Sequence, residues 1–353
     1  MYQATQHPRA IPARVETLGE ANPLRPVEQP AFIRLLDVIQ ARRDTFETLR
    51  HVPRDVVAAM KDAGIFRSAT PPRFGGDAMA PHLFLEMVEA IGKIDGSAAW
   101  VAAFGSANTY IAALPVETQA VIYADGPDQV YAGGLYPIHK AERQGDGWKV
   151  SGRWKFASGC MGADWIGVGI SGPAADGGAP VVKMAVAPAN EVEIIETWEV
   201  VGLKGTGSHD TQVTDKFYSD AWTCDRGAPG KFDEPLYRYP PLAYQAQVHA
   251  AVNLGLARAA LDLALSMSGA AKLMPGQVVL AQRAYFGTGL AESEAKLRAA
   301  RAFYYETAQQ AWDVLQHEAA VPLELNNLLR LSATHAARTA LEVVQTCYRI
   351  AGM

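Results

Sequence analysis

The apolar periodicity of this chain changes twice, and that double switch limits its fold more than any other feature. From about Pro30, apolar residues recur every three or four positions: Phe32, Leu35, Leu36 and Ile39, then Val56, Val57, Met60 and Ile65. Charged residues lie between them, as on one face of a helix, and Gly64 marks a helix end. After the turn Pro71–Gly76, helices are predicted over roughly 81–94 and from Ser97 to Leu114. Near residue 126 the period shortens to two. Val130–Leu135, Trp148–Val150, Trp154–Phe156, Trp165–Ile170, Val181–Val186, Val192–Trp198 and Thr211–Trp222 read as short strands between glycine-rich turns. Such a series suits a small barrel or sandwich. From about Pro241 the helical period returns. Val248, Val252, Leu256, Leu263 and Met267 are placed on one face, and Leu290, Leu297, Ala300, Tyr304, Ala308, Ala311 and Leu315 form a longer stripe. A last helix follows Pro322. The order is helices, strands, helices, without the βαβ alternation of a Rossmann sheet. It predicts a proline-rich, flexible lead-in (1–29), an N-terminal helical domain (30–125), a middle β-domain (126–238) and a C-terminal helical bundle (239–353).

Composition narrows the class of protein. At 353 residues, 49% apolar and 20% charged, the chain matches a globular protein of two or three packed subdomains. Its formal charge is 32 − 37 = −5 and its pI is near 5.9, so no nucleic-acid partner is expected. No run of five basic residues suggests a phosphate or membrane-surface patch. The N-terminus lacks an apolar signal core, and no stretch approaches 18 strongly apolar residues, so neither secretion nor membrane spanning is expected. Cys160, Cys224 and Cys347 are odd in number and widely spread. They read as buried thiols of a reducing compartment, hence a cytoplasmic protein.

Few motifs carry chemistry. The eight histidines form neither an H-x-x-x-H nor an H-E-x-x-H pair, so no metal site is expected. No G-x-S-x-G elbow follows a strand, which leaves a hydrolase triad without support. Gly202–Ser208 is rich in glycine but lacks the Gly-Lys-Ser/Thr ending of a P-loop, and a strand follows it. A tight turn between strands is the first reading, and what keeps the segment of interest is Thr206, Ser208 and His209, expected to stand exposed beside small residues. In Gly152–Gly159, a strand ends in Ala157-Ser158-Gly159. Its tip would offer free backbone N–H groups and one hydroxyl to the polar edge of a flat heteroaromatic cofactor, with Trp154 and Phe156 as apolar walls. From the residues alone, an amphipathic strand closed by a turn serine is the stronger reading. Tyr110 and His249 fall on helices and are open to either a core or a catalytic role.

Together the three-part order and several short segments resemble the acyl-CoA dehydrogenase fold, over about residues 30–353. "VPRDVVAAMKDAGIFRSATPPRFGG" is similar to that superfamily's early helix and Gly-Gly turn, and "EAIGKIDGSAAWVAAFGSA" to the helix after it. "GDGWKVSGRWKFASGCMGADW" is the most specific match, followed by "WEVVGLKGTGSHDTQVTDKFY", and "LAESEAKLRAARAFYYE" resembles a long helix of the terminal bundle. The W-x-F-A-S-G and G-T-G-S versions look more like the flavin-dependent monooxygenase branch than the dehydrogenases. The resemblance implies a mainly α protein with a central β-barrel. It also implies an enzyme that takes reduced FMN or FAD from a separate flavin reductase and hydroxylates a phenol, indole or other heteroaromatic. Oxygen would add to the reduced flavin at C4a, and the hydroperoxide formed must be kept from water. In that branch the serine of the A-S-G segment lies near flavin N5, which carries over to Ser158. Phe156, Ala157 and Gly159 would cover the ring, and Thr206 and Ser208 would flank it. The substrate would lie near Trp100, Tyr110 and His249. A homotetramer is implied by analogy.

Departures help to choose between branches. Dehydrogenases carry T-E-P-x-x-G-S-D before the hairpin, whereas this chain has Tyr136–Glu142, with His139 among them. Where one dehydrogenase subclass has a Glu-Arg pair, Gln245 and Ala246 stand here, and neither abstracts a proton. Arg283–Gly287 spells an R-x-x-F-G adenylate pattern, but close to Leu290, which reads as coincidence. Relatives continue past "CYRIAGM", so a C-terminal piece is expected to be missing or naturally short. Two other readings stay open at this point: an FAD-dependent acyl-CoA dehydrogenase or oxidase, and a non-catalytic partner subunit of the same fold.

Overall fold

A computed structural model describes residues 24–173, 179–269 and 278–352. Most of the expected lead-in, and Met353, lie outside the described residues. Six helices come first: α1 (Pro30–Leu49), α2 (Arg54–Asp62), α3 (Pro81–Gly92), α4 (Gly96–Ala103), α5 (Asn108–Ile111) and α6 (Val116–Ile122). Eight strands follow: β1 (Tyr131–Lys140), β2 (Glu142–Gln144), β3 (Gly147–Ala157), β4 (Trp165–Gly172), β5 (Val181–Pro188), β6 (Glu193–Ile195), β7 (His209–Ser219) and β8 (Thr223–Asp225). Among the described residues, four α-helices come last: α7 (Pro235–Arg238), α8 (Pro241–Met267), α9 (Ala284–Leu315) and α10 (Leu323–Ile350).

Local chemistry sets the helix ends. Gly64 adopts φ +76°, and beyond it the N–H of Ile65 reaches back to the carbonyl of Met60, closing α2 in a Schellman motif. Asp95 caps α4 by accepting from the Ala98 N–H at 2.7 Å. The single helix predicted from Ser97 to Leu114 is instead broken into α4, a 3₁₀ turn over Phe104–Ala107, and α5. The break follows from close packing at Gly105, where any Cβ would stand 2.3 Å from the Ile65 carbonyl. Asn108 then anchors the turn by donating to the Phe66 carbonyl at 2.7 Å.

The sheet order is β6-β7-β3-β1-β4-β5-β8, with β2 added on β3. It is an open path with ends at β6 and β8, not the closed barrel expected. All pairs are antiparallel except β1 with β4, and β1 joins the two halves through one bridge to β3 at Tyr136–Lys155. Trp154 lies wholly buried at this junction and donates from Nε1 to the Gly169 carbonyl on β4, at 2.7 Å. The strand predicted over Val192–Trp198 is only three residues long. Past Ile195 the bonds of β7 go to side chains instead: the Asp210 N–H to Thr197 Oγ1, and the Trp198 N–H to His209 Nδ1.

In the bundle, α8 packs against α10 on one side and α3 and α4 on the other. Val248, Val252, Leu254 and Leu261 are buried, but Leu263 faces outward and Leu256 is covered only on its Gly96 side, so the single apolar face expected is not what forms. By length and composition α8 alone among the described residues could span a membrane. Its apolarity serves burial on two sides of a helix bundle. The α3–α8 crossing depends on Gly255, where a Cβ would sit 2.3 Å from the Glu89 carbonyl and 2.7 Å from Gly92. Gly255→Ala is therefore expected to destabilise the protein by about 1–3 kcal/mol through overpacking, as read by urea denaturation.

Candidate functional site

Helix α8 runs antiparallel to α4–α5, and paired contacts along this seam place the side chains of interest. Leu256 packs at Gly96, the rings of His249 and Trp100 lie 4.4 Å apart, and Gln245 Nε2 approaches Ser106 Oγ at 3.4 Å. Tyr244 and Tyr110 then line one cavity. The β-domain meets the seam at the tip of β3. There Trp100 donates from Nε1 to Ser158 Oγ at 3.2 Å, so one indole bridges Ser158 and His249.

Ser158 begins a chain of hydroxyls. Ser158 Oγ lies 2.7 Å from Ser208 Oγ, Ser208 Oγ lies 2.6 Å from Thr206 Oγ1, and Thr206 Oγ1 donates to the Leu203 carbonyl at 2.9 Å. A carbonyl only accepts, so Thr206's one proton is committed to Leu203. Ser208 must then donate to Thr206, and Ser158 to Ser208. The chain runs one way, from Trp100 to Leu203. Ser158 keeps a lone pair to offer but no proton.

Several expectations change here. Thr206, Ser208 and His209 are buried, not exposed, because the turn folds back and the Gly159 N–H donates to the Thr206 carbonyl at 2.8 Å. The backbone N–H of Ser158 is likewise spent, on the Phe156 carbonyl. Hence the tip of β3 presents a hydroxyl rather than free amides. Trp154 cannot wall a cofactor, since it fills the junction inside the sheet; Ala157 is fully buried beside it. Phe156 does face outward, 62% exposed, with φ +63° and its ring edge-on to Trp198 at 6.1 Å. A positive φ in a phenylalanine is uncommon and recurs at functional positions. Gly159, at φ +75°, makes the turn that brings Cys160 under Gly207. His139 packs edge-on against Trp154 and bonds the Arg153 carbonyl at 3.0 Å, a structural position.

His249 has a defined tautomer. Nδ1 lies 2.7 Å from the Gln245 carbonyl, so Nδ1 carries the proton and Nε2 is left as an acceptor. Burial lowers its pKa below the ordinary 6.5, against a smaller upward pull from that carbonyl, and keeps the ring neutral at pH 7. Tyr110 is not at the hydroxyl chain. It lies on α5, at the cavity with Tyr237, Tyr239 and Tyr244, and burial raises its pKa, so its phenol stays protonated. Sequence reasoning passed over these three tyrosines and Trp198. The signal was present as the tyrosine-rich, proline-flanked segment 237–244.

A helical domain, an open β-domain and a helical bundle, meeting at a hydroxyl-bearing strand tip, define a protein of the acyl-CoA dehydrogenase fold. Residues 247–353 match the family "Acyl-CoA dehydrogenase, C-terminal domain". The chain is 46% identical to the indole-3-acetate monooxygenase of Pseudomonas putida, over 92% of its own length and 84% of that protein's. It is 39% identical to the indole-3-acetate monooxygenase of Acinetobacter baumannii, over 87% and 79%. Among solved structures, 3-HSA hydroxylase from Rhodococcus sp. RHA1 superposes with a TM-score of 0.83 at 25% identity, covering 91% of this chain and 85% of that one. The chain belongs to the flavin-dependent monooxygenases of this fold.

The environment of His249 has a measurable consequence. Its folded pKa lies below 6.5 while the unfolded ring titrates near that value, so between the two the unfolded chain binds more protons. The stability contributed by this neutral ring is full above about pH 6.5 and declines as pH falls towards the folded value. NMR titration of the His249 imidazole is expected to give a midpoint below 6.5, and a midpoint at or above it would contradict the neutral assignment.

Proposed function

We propose that this chain is the oxygenase component of a two-component system that hydroxylates an aromatic or heteroaromatic small molecule, using reduced FMN or FAD delivered by a separate flavin reductase. The observation that carries the reading is the one-way hydroxyl chain at the tip of β3, beside an outward-facing Phe156. These groups fit a flavin. The Phe156 ring offers a face for a flat tricycle, and Ser158 Oγ offers a lone pair. That lone pair matches the N–H which position N5 carries only in the reduced form. A relative 32% identical over 67% of this chain is a FADH2-dependent resorcinol hydroxylase, oxygenase component, which supports both the cofactor and a separate reductase.

Ser158 and Phe156 would hold a reduced flavin, which would supply the electrons that activate O₂, one oxygen atom going to the substrate ring and the other to water. The chain's own residues do the rest. Ser158 orients the flavin edge, with Ser208 and Thr206 fixing its hydroxyl. Trp100 and Phe156 exclude water from the reacting face. His249, neutral and with Nε2 free to accept, takes a proton from the substrate's ring N–H or hydroxyl, and the Gln245 carbonyl stabilises the cation formed. Tyr110 contacts the substrate from the α5 side. The names of the two relatives above make an indole carboxylic acid the first substrate to test, ahead of a simple phenol or indole. The dehydrogenase reading is disfavoured, because Gln245 carries an amide where an acid would be needed.

The exposed Leu263 and Leu265 on α8 and Leu331, Leu341 and Tyr348 on α10 support a homo-oligomer, which we take to be a tetramer. The free thiols of Cys160, Cys224 and Cys347 support a reducing, cytoplasmic setting.

Chemically reduced FMN or FAD, O₂ and a panel of indoles and phenols test the reading. At least one oxygenated product is expected, and neither flavin binding nor product across the panel would overturn it. Ser158→Ala is expected to weaken binding of reduced flavin about five- to tenfold, the worth of one hydrogen bond, while oxidised flavin changes little. Anaerobic titration followed by flavin fluorescence reads the difference.

A further inference from the structure

The seam between α4–α5 and α8 does not end at His249. Towards the start of α8 it opens into a cavity of about 260 Å³ whose walls include Tyr110, Tyr237, Tyr239 and Tyr244. Tyr244 precedes His249 by five residues, about 7.5 Å along the helix, so the cavity adjoins the cluster where the proposed function places its chemistry. Two of its phenols are already committed: Tyr237 donates to the Ala69 carbonyl at 3.2 Å and Tyr239 to Gln247 Oε1 at 2.9 Å. They serve as fixed aromatic walls.

One charged residue lines this cavity, Arg238 at the end of α7, and no acidic residue does. Among the described residues no acid lies within ion-pair distance of Arg238. Its guanidinium instead caps the end of α9, Nη2 donating to the Leu315 carbonyl at 2.9 Å and Nη1 to the Glu318 carbonyl. Those two bonds fix the plane of the fork and leave three of its five N–H groups unspent. This half-buried guanidinium, bonded to two backbone carbonyls and to no acid among the described residues, belongs to a residue on the wall of an aromatic cavity. We propose that this cavity is a carboxylate-selecting subsite, in which Arg238 binds the side-chain carboxylate of an aryl acid whose ring lies among the tyrosines.

This deepens the reading of the chain as an aromatic monooxygenase by naming what selects its substrate, and it is tested by binding rather than turnover. Isothermal calorimetry on the whole chain compares indole-3-acetate with its neutral isostere, indole-3-acetamide, and with indole. The wild-type protein is expected to bind the acid at least tenfold more tightly than the amide, and Arg238→Met to abolish that preference while changing indole affinity less than twofold. Arg238→Lys, which keeps the charge but not the fork, should retain part of it. Equal binding of acid and amide by the wild-type protein overturns the subsite, and needs no variant to fold. An equal loss for acid and indole in Arg238→Met assigns Arg238 a structural role and overturns it as well. If the acid is bound selectively but never oxygenated, the subsite stands and the monooxygenase reading falls.

Discussion

The antiparallel contact between α4–α5 and α8 is the constraint on which the rest of the structure depends. It fixes Trp100 against His249, and Trp100 in turn holds Ser158 at the tip of a strand from another part of the chain. Close approach of the helices makes this possible. Gly255 admits the Glu89 carbonyl of α3, and Gly96 admits Leu256, so α8 lies deep enough for its residues to reach across. A single indole thereby links the helical and β parts of the protein at the place where both present polar groups.

Burial then turns an ordinary set of hydroxyls into a directional one. In water, Ser158, Ser208 and Thr206 would exchange partners freely. Here each has a fixed neighbour, and the Leu203 carbonyl at the far end dictates the order of the protons. The same exclusion of water keeps His249 neutral and commits its Nδ1 proton to Gln245, leaving Nε2 as the acceptor. One hydroxyl and one imidazole thus both present lone pairs at the seam. That polarity suits a ligand rich in N–H donors, which distinguishes reduced from oxidised flavin.

Much of this was legible in the sequence, and the rest was hidden for physical reasons. The change from a 3.6-residue to a two-residue period and back located the helices and strands, because burial of one face imposes that spacing. The strand ending at Ala157 was recognisable, with Ser158 as the hydroxyl at its tip. Sequence could not tell that Trp154 faces inward and Phe156 outward, since a positive φ at Phe156 breaks the alternation of the strand. The burial of Thr206 and Ser208 was equally hidden, because it depends on a bond between Gly159 and Thr206, 47 residues apart in sequence. The sheet is open rather than a barrel because its end strands β6 and β8 do not pair with each other, a matter of strand order that periodicity does not encode. The tyrosine cavity was missed because its walls come from α5, α7 and α8 together.

We propose that Ser158, held by Trp100 and Ser208, is the group that meets the flavin edge. The distance from flavin N5 to Ser158 Oγ in a crystal of the protein with reduced flavin measures this directly. Hydrogen-bonding distance, about 3.2 Å or less, is expected, with the ring against Phe156. A flavin seated elsewhere, with Ser158 still turned to Ser208 and out of its reach, would contradict it.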